Sequence, residues 1–482
     1  FSRLLRFPDK IALSWRNNGV QKQMTYQELL LHSQCSASRI IGALDRLKKD
    51  NVIPIPSPEV CQSPQNTCTS NGRIPLLDIG TQHFVSSMLG TWMAGMACVP
   101  LCSSHPPPQW EYFLQDSKAN LAFYHSSFYN DIFPLLKQEK ILPLVSNSTP
   151  HIASGLDTSL LEQSMDSHAL TVYTSGTTGK PKGVVQSHRV VTERLSTLHD
   201  AWGWNENDRI LNFLPLHHVH GLYNIVLNAL YAGASVHMME KFDAGEVWNE
   251  IMKLKGLTIV MAVPTIYSKL IREYDLADKQ TQRKMSAGCR RLRLMVSGSM
   301  ALPEPVMKRW EEISGHRLLE RYGMTEIGMV LSNPLDGERV PGKVGFPLPR
   351  VNLKLDGNTS NEGAELCVKA PGVFCGYWGK DELTQKEFDS EGWFHTGDTA
   401  ITDDKGNYKI LGRTSVDILK VGGYKISALD IERVMLEHPD IKECCIVGIP
   451  DDNYGQKIGA VICSDSQLTL DDIREWGKKQ LP

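Results

Sequence analysis

A chain of 482 residues is too long for one compact core, so two or more domains are expected. Its 51 Lys+Arg against 54 Asp+Glu leave a formal charge of -3, which argues against a general nucleic-acid binder. The 11 cysteines are odd in number and have no C-x-x-C spacing, which disfavours a disulfide framework, and no apolar run reaches the ~18 to 20 residues that span a bilayer.

Tyr26, Leu29, Leu30 and Ile40 recur at helical spacing after Thr25, which has N-cap chemistry, so residues 1–50 read as helical. Pro54, Pro56, Pro58 and Pro64 among Ser, Asn and Gln then read as a mobile loop. Phe84, Val85, Met88, Leu89, Trp92 and Met93 predict a buried helix, with a strand at 97–101 after it. The alternation continues with strands at 210–213, 235–239, 259–262 and 292–296 and helices at 222–232, 244–255, 265–273 and 303–313. That rhythm predicts an α/β architecture whose parallel sheet is covered on both faces. Past Gly345, short strands at 351–355, 365–369 and 408–410 joined by Gly/Asn/Asp turns predict a small β subdomain. A tail with strands at 446–449 and 460–463 follows, giving an expected division into 1–412, with 345–412 as the β subdomain, and 413–482.

The densest chemical signal is Tyr173-Thr-Ser-Gly-Thr-Thr-Gly-Lys-Pro-Lys-Gly183. Gly176, Gly179 and Gly183 free the backbone to turn N–H groups inward. Thr174, Ser175, Thr177 and Thr178 add hydroxyl donors, and Lys180 and Lys182 add charge. Such a segment suits a polyphosphate better than it suits a plain polar surface loop. It is not a Walker A loop, because Gly179-Lys180 is followed by Pro181.

This segment resembles the phosphate-binding signature of the adenylate-forming enzyme superfamily, and four further blocks match in order. They are Leu214-Pro-Leu-His-His-Val-His-Gly221, Arg321-Tyr-Gly-Met-Thr-Glu326, Trp393-Phe-His-Thr-Gly-Asp398, and Gly412-Arg413 through Gly422-Gly423-Tyr424-Lys425. The resemblance implies a large αβ-layered N-terminal domain with a β subdomain and a small mobile C-terminal α+β domain. It implies ATP, Mg²⁺ and coenzyme A as cofactors and co-substrates. It assigns nucleotide contacts to Thr174–Lys180, Ser297, Gly298, Ser299, Tyr322, Gly323 and Arg413, and the ribose to Asp398. Thr325, Glu326, His218 and Lys182 become the catalytic set, with Glu326 as the Mg²⁺ ligand, since Mg²⁺ takes one or two carboxylates plus phosphate oxygens. Gly422, Gly423, Tyr424 and Lys425 become the loop facing coenzyme A. Singly, Asp398 reads as a turn residue and Glu326 as a solvated charge.

Arg321 departs from the pattern, because many relatives carry a small residue there. A guanidinium at the pocket floor opposes a long apolar tail and pairs with a second carboxylate. Together with Glu320, Val296–Ser299, Gly337–Gly342 and Gly422–Lys425, it resembles the malonyl-CoA/methylmalonyl-CoA synthetase branch, which implies a dicarboxylic acid substrate and the mitochondrial matrix. The plainer alternative is that Arg321 pairs with Glu320 or with a helix C-terminus. His217, His218 and His220 could ligate a metal, although no acidic or Cys partner shows ligand spacing beside them. The family also carries a lysine in a Pro-x-x-x-x-Gly-Lys-like context near its end. Residues 414–482 hold no such motif, so a partial C-terminal domain is expected, with the hinge at Ser415 or Val416. The competing expectations are a medium-chain fatty-acyl-CoA synthetase and an impaired nucleotide- or acyl-binding protein. Small-molecule partners and a monomer or weak homo-oligomer complete the reading, and any targeting segment lies outside a chain that begins at Phe1.

Overall fold

The computed structural model describes residues 1–482 apart from 18, 50–58, 150–154, 175–178, 358–362, 423, 452–453, 465 and 481–482. Two large sheets form the bulk. One has nine strands, in the spatial order Phe346–Pro347, Gly328–Ser332, Leu319–Met324, Leu294–Ser297, Ile259–Ala262, Arg209–Asn212, Ser235–Met238, Ile11–Asn17 and Val20–Thr25. Its interior strands are parallel, and antiparallel pairs close both edges. The other has seven strands, in which Ala97–Leu101, Arg73–Leu77, Leu121–Tyr124, Leu142–Val145 and His168–Thr174 run parallel. Lys182–Ser187 folds back antiparallel on His168–Thr174.

Parallel strands need long crossovers, which helices such as Ala244–Lys253 and Pro264–Leu276 provide here, and the predicted alternation is borne out with shifts of a few residues. The first fifty residues differ from expectation, because a hairpin, Ile11–Asn17 with Val20–Thr25, precedes the helix Tyr26–Lys49. That helix starts on a capping box: Thr25 Oγ1 accepts the Glu28 N–H at 3.2 Å, and Glu28 accepts the Thr25 N–H at 2.7 Å. It packs on the helix Gln82–Met93 at Gly90, where a Cβ would lie 2.5 Å from Ser33 O. Of the proline-rich segment, Pro54, Pro56 and Pro58 lie outside the described residues. Pro64 belongs to the turn of an ordered hairpin, Glu59–Gln62 with Thr67–Ser70, rather than to a loop.

Past the large sheets, Asn352–Asp356, Ala364–Lys369, Phe394–Thr402 and Tyr408–Arg413 form a four-stranded antiparallel sheet. A second four-stranded sheet takes Ile418–Val421, Tyr424–Ser427, Ile441–Asp451 and Gly455–Ser464, with the helices Ala428–Leu436 and Leu470–Gln480. The two tail strands are thus one long hairpin. Lys409 pairs with Asp430 at 2.8 Å and Ser427 Oγ donates to Leu411 O at 2.6 Å, tying the last sheet to the one before it.

Candidate active site

The motif residues gather where parallel strands end, the place at which open α/β sheets bind ligands. Thr174 closes one such strand and Ser297 another. Thr325, Glu326 and Ile327 form the turn of the hairpin between Leu319–Met324 and Gly328–Ser332. Gly328, at φ +71°, supplies the left-handed residue that a three-residue turn needs. The buried Arg194 guanidinium donates from Nη2 to Glu326 O at 2.8 Å and from Nε to Gly372 O at 2.7 Å, fixing the turn's backbone.

Glu326 is buried and its Oε1 accepts the Tyr377 hydroxyl at 2.9 Å. The Lys182 ammonium lies 4.4 Å over the Tyr377 ring and 3.9 Å from the Glu387 carboxylate. Lys182, Tyr377 and Glu326 therefore form one connected group. Tyr377 and Arg194 were not among the residues expected from sequence; Tyr377 follows Gly376 on a two-residue strand with no local signal of its own. Lys180 reaches over Tyr112 at 5.6 Å, and Gly179 is exposed. Ser175, Gly176, Thr177 and Thr178 lie outside the described residues, as does Gly423.

On the other side of the turn, Tyr322 donates its hydroxyl to Asp398 Oδ2, and Arg413 Nε meets Asp398 Oδ1 at 3.0 Å across the paired strands. Burial raises the Asp398 carboxyl above the usual range, against the opposing pull of Tyr322 and Arg413. Gly323 admits no side chain, since a Cβ would lie 2.1 Å from Gly328 O.

Arg321 and Glu320 are neighbours on one strand, so their side chains leave on opposite faces. Glu320 Oε1 accepts the Leu302 N–H at 3.0 Å. Arg321 instead lies under Gly298, where a Cβ would come within 2.6 Å of its guanidinium, and donates to Ser299 Oγ at 3.4 Å. The expected alternative, a pair with Glu320, is not formed. Arg321 is 3% exposed, its Nε has no hydrogen-bond partner, and no acidic side chain pairs with it among the described residues. Burial draws its pKa down to about 10.

His220 is buried beside the Arg321 guanidinium. Its Nδ1 lies 3.4 Å from Ser299 Oγ, and burial with the nearby Arg321 charge keeps the ring neutral. The His217 and His218 rings lie 4.1 Å apart, tilted at 51° to each other, and desolvation and neighbouring His rings lower both pKa values below the ordinary His value. The three histidines do not converge as a metal site. Among the described residues, the three possible metal ligands that do cluster are Asp356, Cys367 and His395. Lys354 flanks that cluster, 3.9 Å from Asp356.

Gly422, at φ +60°, follows the strand Ile418–Val421, which pairs antiparallel with Tyr424–Ser427, and Tyr424 is 72% exposed. A cavity of about 380 Å³ lined by Arg16, His83, His237 and Glu250 lies apart and contains none of the motif residues. The motif residues instead place the buried Glu326 turn, Lys182 and the buried Arg321 near the ends of the parallel strands.

An open α/β sheet with a buried carboxylate at a hairpin turn and a small terminal sheet is the architecture of the adenylate-forming enzymes. The chain belongs to the AMP-binding enzyme family, which matches residues 73–378, and the family's C-terminal domain matches 430–482. It is 39% identical to the mitochondrial malonate–CoA ligase ACSF3 of Xenopus laevis over 99% of this chain and 85% of that protein. It is 41% identical to a malonate–CoA ligase of Arabidopsis thaliana over 85% of this chain and 72% of that protein. Among solved structures, a malonyl-CoA ligase with methylmalonyl-CoA and AMP bound matches at TM-score 0.71 and 30% identity, over 98% of this chain and 94% of that one. ATP-bound MatB from Rhodopseudomonas palustris matches at TM-score 0.83 and 26% identity, over 100% and 92%.

Proposed function

We propose that this protein joins malonate, or methylmalonate, to coenzyme A in two steps. One malonate carboxylate attacks the α-phosphorus of ATP, the bond to pyrophosphate breaks, and malonyl-AMP forms. The thiol of coenzyme A then attacks the acyl carbon and AMP leaves. The observation that carries the acid assignment is the buried Arg321 guanidinium, unpaired at Nε and flanked by Ser299 and neutral His220. A second carboxylate neutralises that cation, whereas a methyl end leaves it buried and unpaired.

The remaining roles follow from position. Asp398, paired with Arg413, accepts hydrogen bonds from ribose hydroxyls, and Tyr322 offers its ring to adenine. Lys182 and the 174–180 segment place positive charge and donors along the phosphates. Thr325 supplies a hydroxyl at the turn, and its neighbour Glu326 has one carboxylate oxygen engaged by Tyr377. That donor set fits Mg²⁺, which would spread charge over the phosphate oxygens when bound. Ser297–Ser299 and Gly323 shape the floor, and Gly422–Lys425 receives coenzyme A. Residues 413–482 serve as the small domain that alternates between the two steps about Ser415 or Val416. The relatives named mitochondrial support a mitochondrial location.

The test is ATP-dependent thioester formation with malonate, methylmalonate, acetate and octanoate in parallel. Malonate or methylmalonate should dominate. Preference for octanoate would sink the dicarboxylate assignment, and ATP binding without pyrophosphate exchange for any acid would mark a nucleotide-binding protein.

A further inference from the structure

Behind Arg321 lies a run of buried polar atoms that the proposed chemistry leaves unexplained. Strand register pairs Leu319 with Val296 and Val296 with Met261, and one residue past the Leu211/Val260 pair Asn212 stands beside Met261. Paired residues of parallel strands share a face, and Arg321 shares it with Leu319 two residues earlier. Arg321 and Asn212 therefore point to the same side of the sheet.

The segment His220–Leu227, wound as a π-helix and continued by Asn228–Ala232, packs against the strand Arg209–Asn212. His220 meets Ser299 and feels the charge of Arg321, so this side of the helix faces the acid pocket. Wide turns of this kind are frequent at functional sites. His220, Asn224 and Asn228 recur every four residues and so line one side of it. All three are buried, Asn224 to 1% exposure. Arg321 Nε, His220 Nε2, Asn212 Oδ1 and both amide atoms of Asn224 and of Asn228 lack hydrogen-bond partners. Buried polar groups in a core are nearly always satisfied, and a line of unsatisfied ones leading from a cationic pocket points to a ligand.

We propose that Asn224, backed by Asn212 and Asn228, is a specificity-determining residue whose amide donates to the second carboxylate of the acid. Arg321 and Ser299 cover part of that carboxylate's acceptor capacity, and a carboxylate has about four lone-pair sites to fill. The amide, one turn beyond His220, supplies a further donor at the pocket's inner end. An acid ending in a methyl group leaves both the guanidinium and the amide unpaired, which discriminates more strongly than a missing methylene does. The inference rests on the reading of Arg321 as the carboxylate anchor.

The decisive comparison is Asn224→Leu against the wild type, measuring kcat/KM for malonate and for butyrate, KM for ATP and the melting temperature. The malonate-to-butyrate ratio should fall by about tenfold or more, through a higher malonate KM with the ATP KM unchanged. Asn224→Asp should lower it further, by setting a like charge against the carboxylate. A folded Asn224→Leu protein whose ratio stays within threefold of wild type overturns the proposal and leaves Asn224 a core residue. Should Asn224→Leu not melt cooperatively, the same ratio in Asn224→Ser decides. A wild type that itself does not prefer malonate refutes the Arg321 reading, so the two failures are told apart.

Discussion

Replacing Arg321 by Met tests the acid pocket through two readouts of opposite sign. The guanidinium is buried under Gly298, with Ser299 as its hydrogen-bond partner and, among the described residues, no carboxylate paired with it. Before acid binds, it is a buried cation without a counter-charge, and burial has already drawn its pKa down to about 10. Methionine fills similar space without that cost, so the melting temperature without substrate should hold or rise. With malonate the sign reverses. Removing one partner of a buried ion pair costs about 3 to 5 kcal/mol. At ~1.4 kcal/mol per factor of ten, kcat/KM for malonate should fall between roughly a hundred and a few thousand fold. Butyrate should lose little, since it makes no ion pair. Initial-rate assays of AMP release with each acid, alongside thermal melts, give all the quantities. An Arg321→Met protein that keeps malonate kcat/KM within threefold would refute the assignment, whatever its stability.

Gly298→Ala should reproduce part of that loss without touching a charge, because the new Cβ would sit 2.6 Å from the Arg321 guanidinium and push it aside. The check is malonate KM, expected to rise while the melting temperature moves little, since the clash is with a flexible side-chain end. Asp398→Asn should raise the KM for ATP by about ten- to a hundredfold, the worth of a charge-assisted hydrogen bond, with malonate KM unchanged. Glu320→Gln addresses pH. Burial raises the Glu320 carboxyl to about 7, opposed by the Leu302 N–H and by Arg433. Its stabilising contribution is therefore complete below the ordinary carboxylate range of the unfolded chain and lost as pH rises through about 7. Urea midpoints at pH 5 and pH 8 should show wild type losing up to roughly 3 kcal/mol that the Gln variant keeps. Parallel pH dependences would exclude a raised Glu320.

The parallel strands and their helices were readable because both faces of each strand are apolar, as at Ile259–Ala262, where all four residues are buried. The strand Val20–Thr25 was not. Its first four residues are exposed and only Met24 is buried, so an edge strand of Gln and Lys carries no alternation to detect. At the site, Arg321 was legible as a departure from the small residue that the resembled family carries before Tyr322-Gly-Met-Thr-Glu326, and Asp398 and Glu326 through their motifs. His220 did not, because three histidines in four residues look alike until the helix decides which one turns inward. Gly221 takes part in that decision, since a Cβ there would lie 2.4 Å from Pro215 O. The approach of Gly298 to Arg321 joins residues 23 positions apart, a closeness that only the finished sheet creates.

Arg194 holds the Thr325–Glu326 turn by a main-chain oxygen and leaves the Glu326 carboxylate to other work. The two positions therefore behave differently under mutation. A Glu326→Gln protein keeps the tether to Arg194, so any activity it loses can be ascribed to charge. Changing Arg194 lets the turn drift while every reactive group is still present, and a defect there mixes geometry with folding. A variant survey of this enzyme that scored only activity would rank the two alike, although one reports on electrostatics and the other on scaffolding.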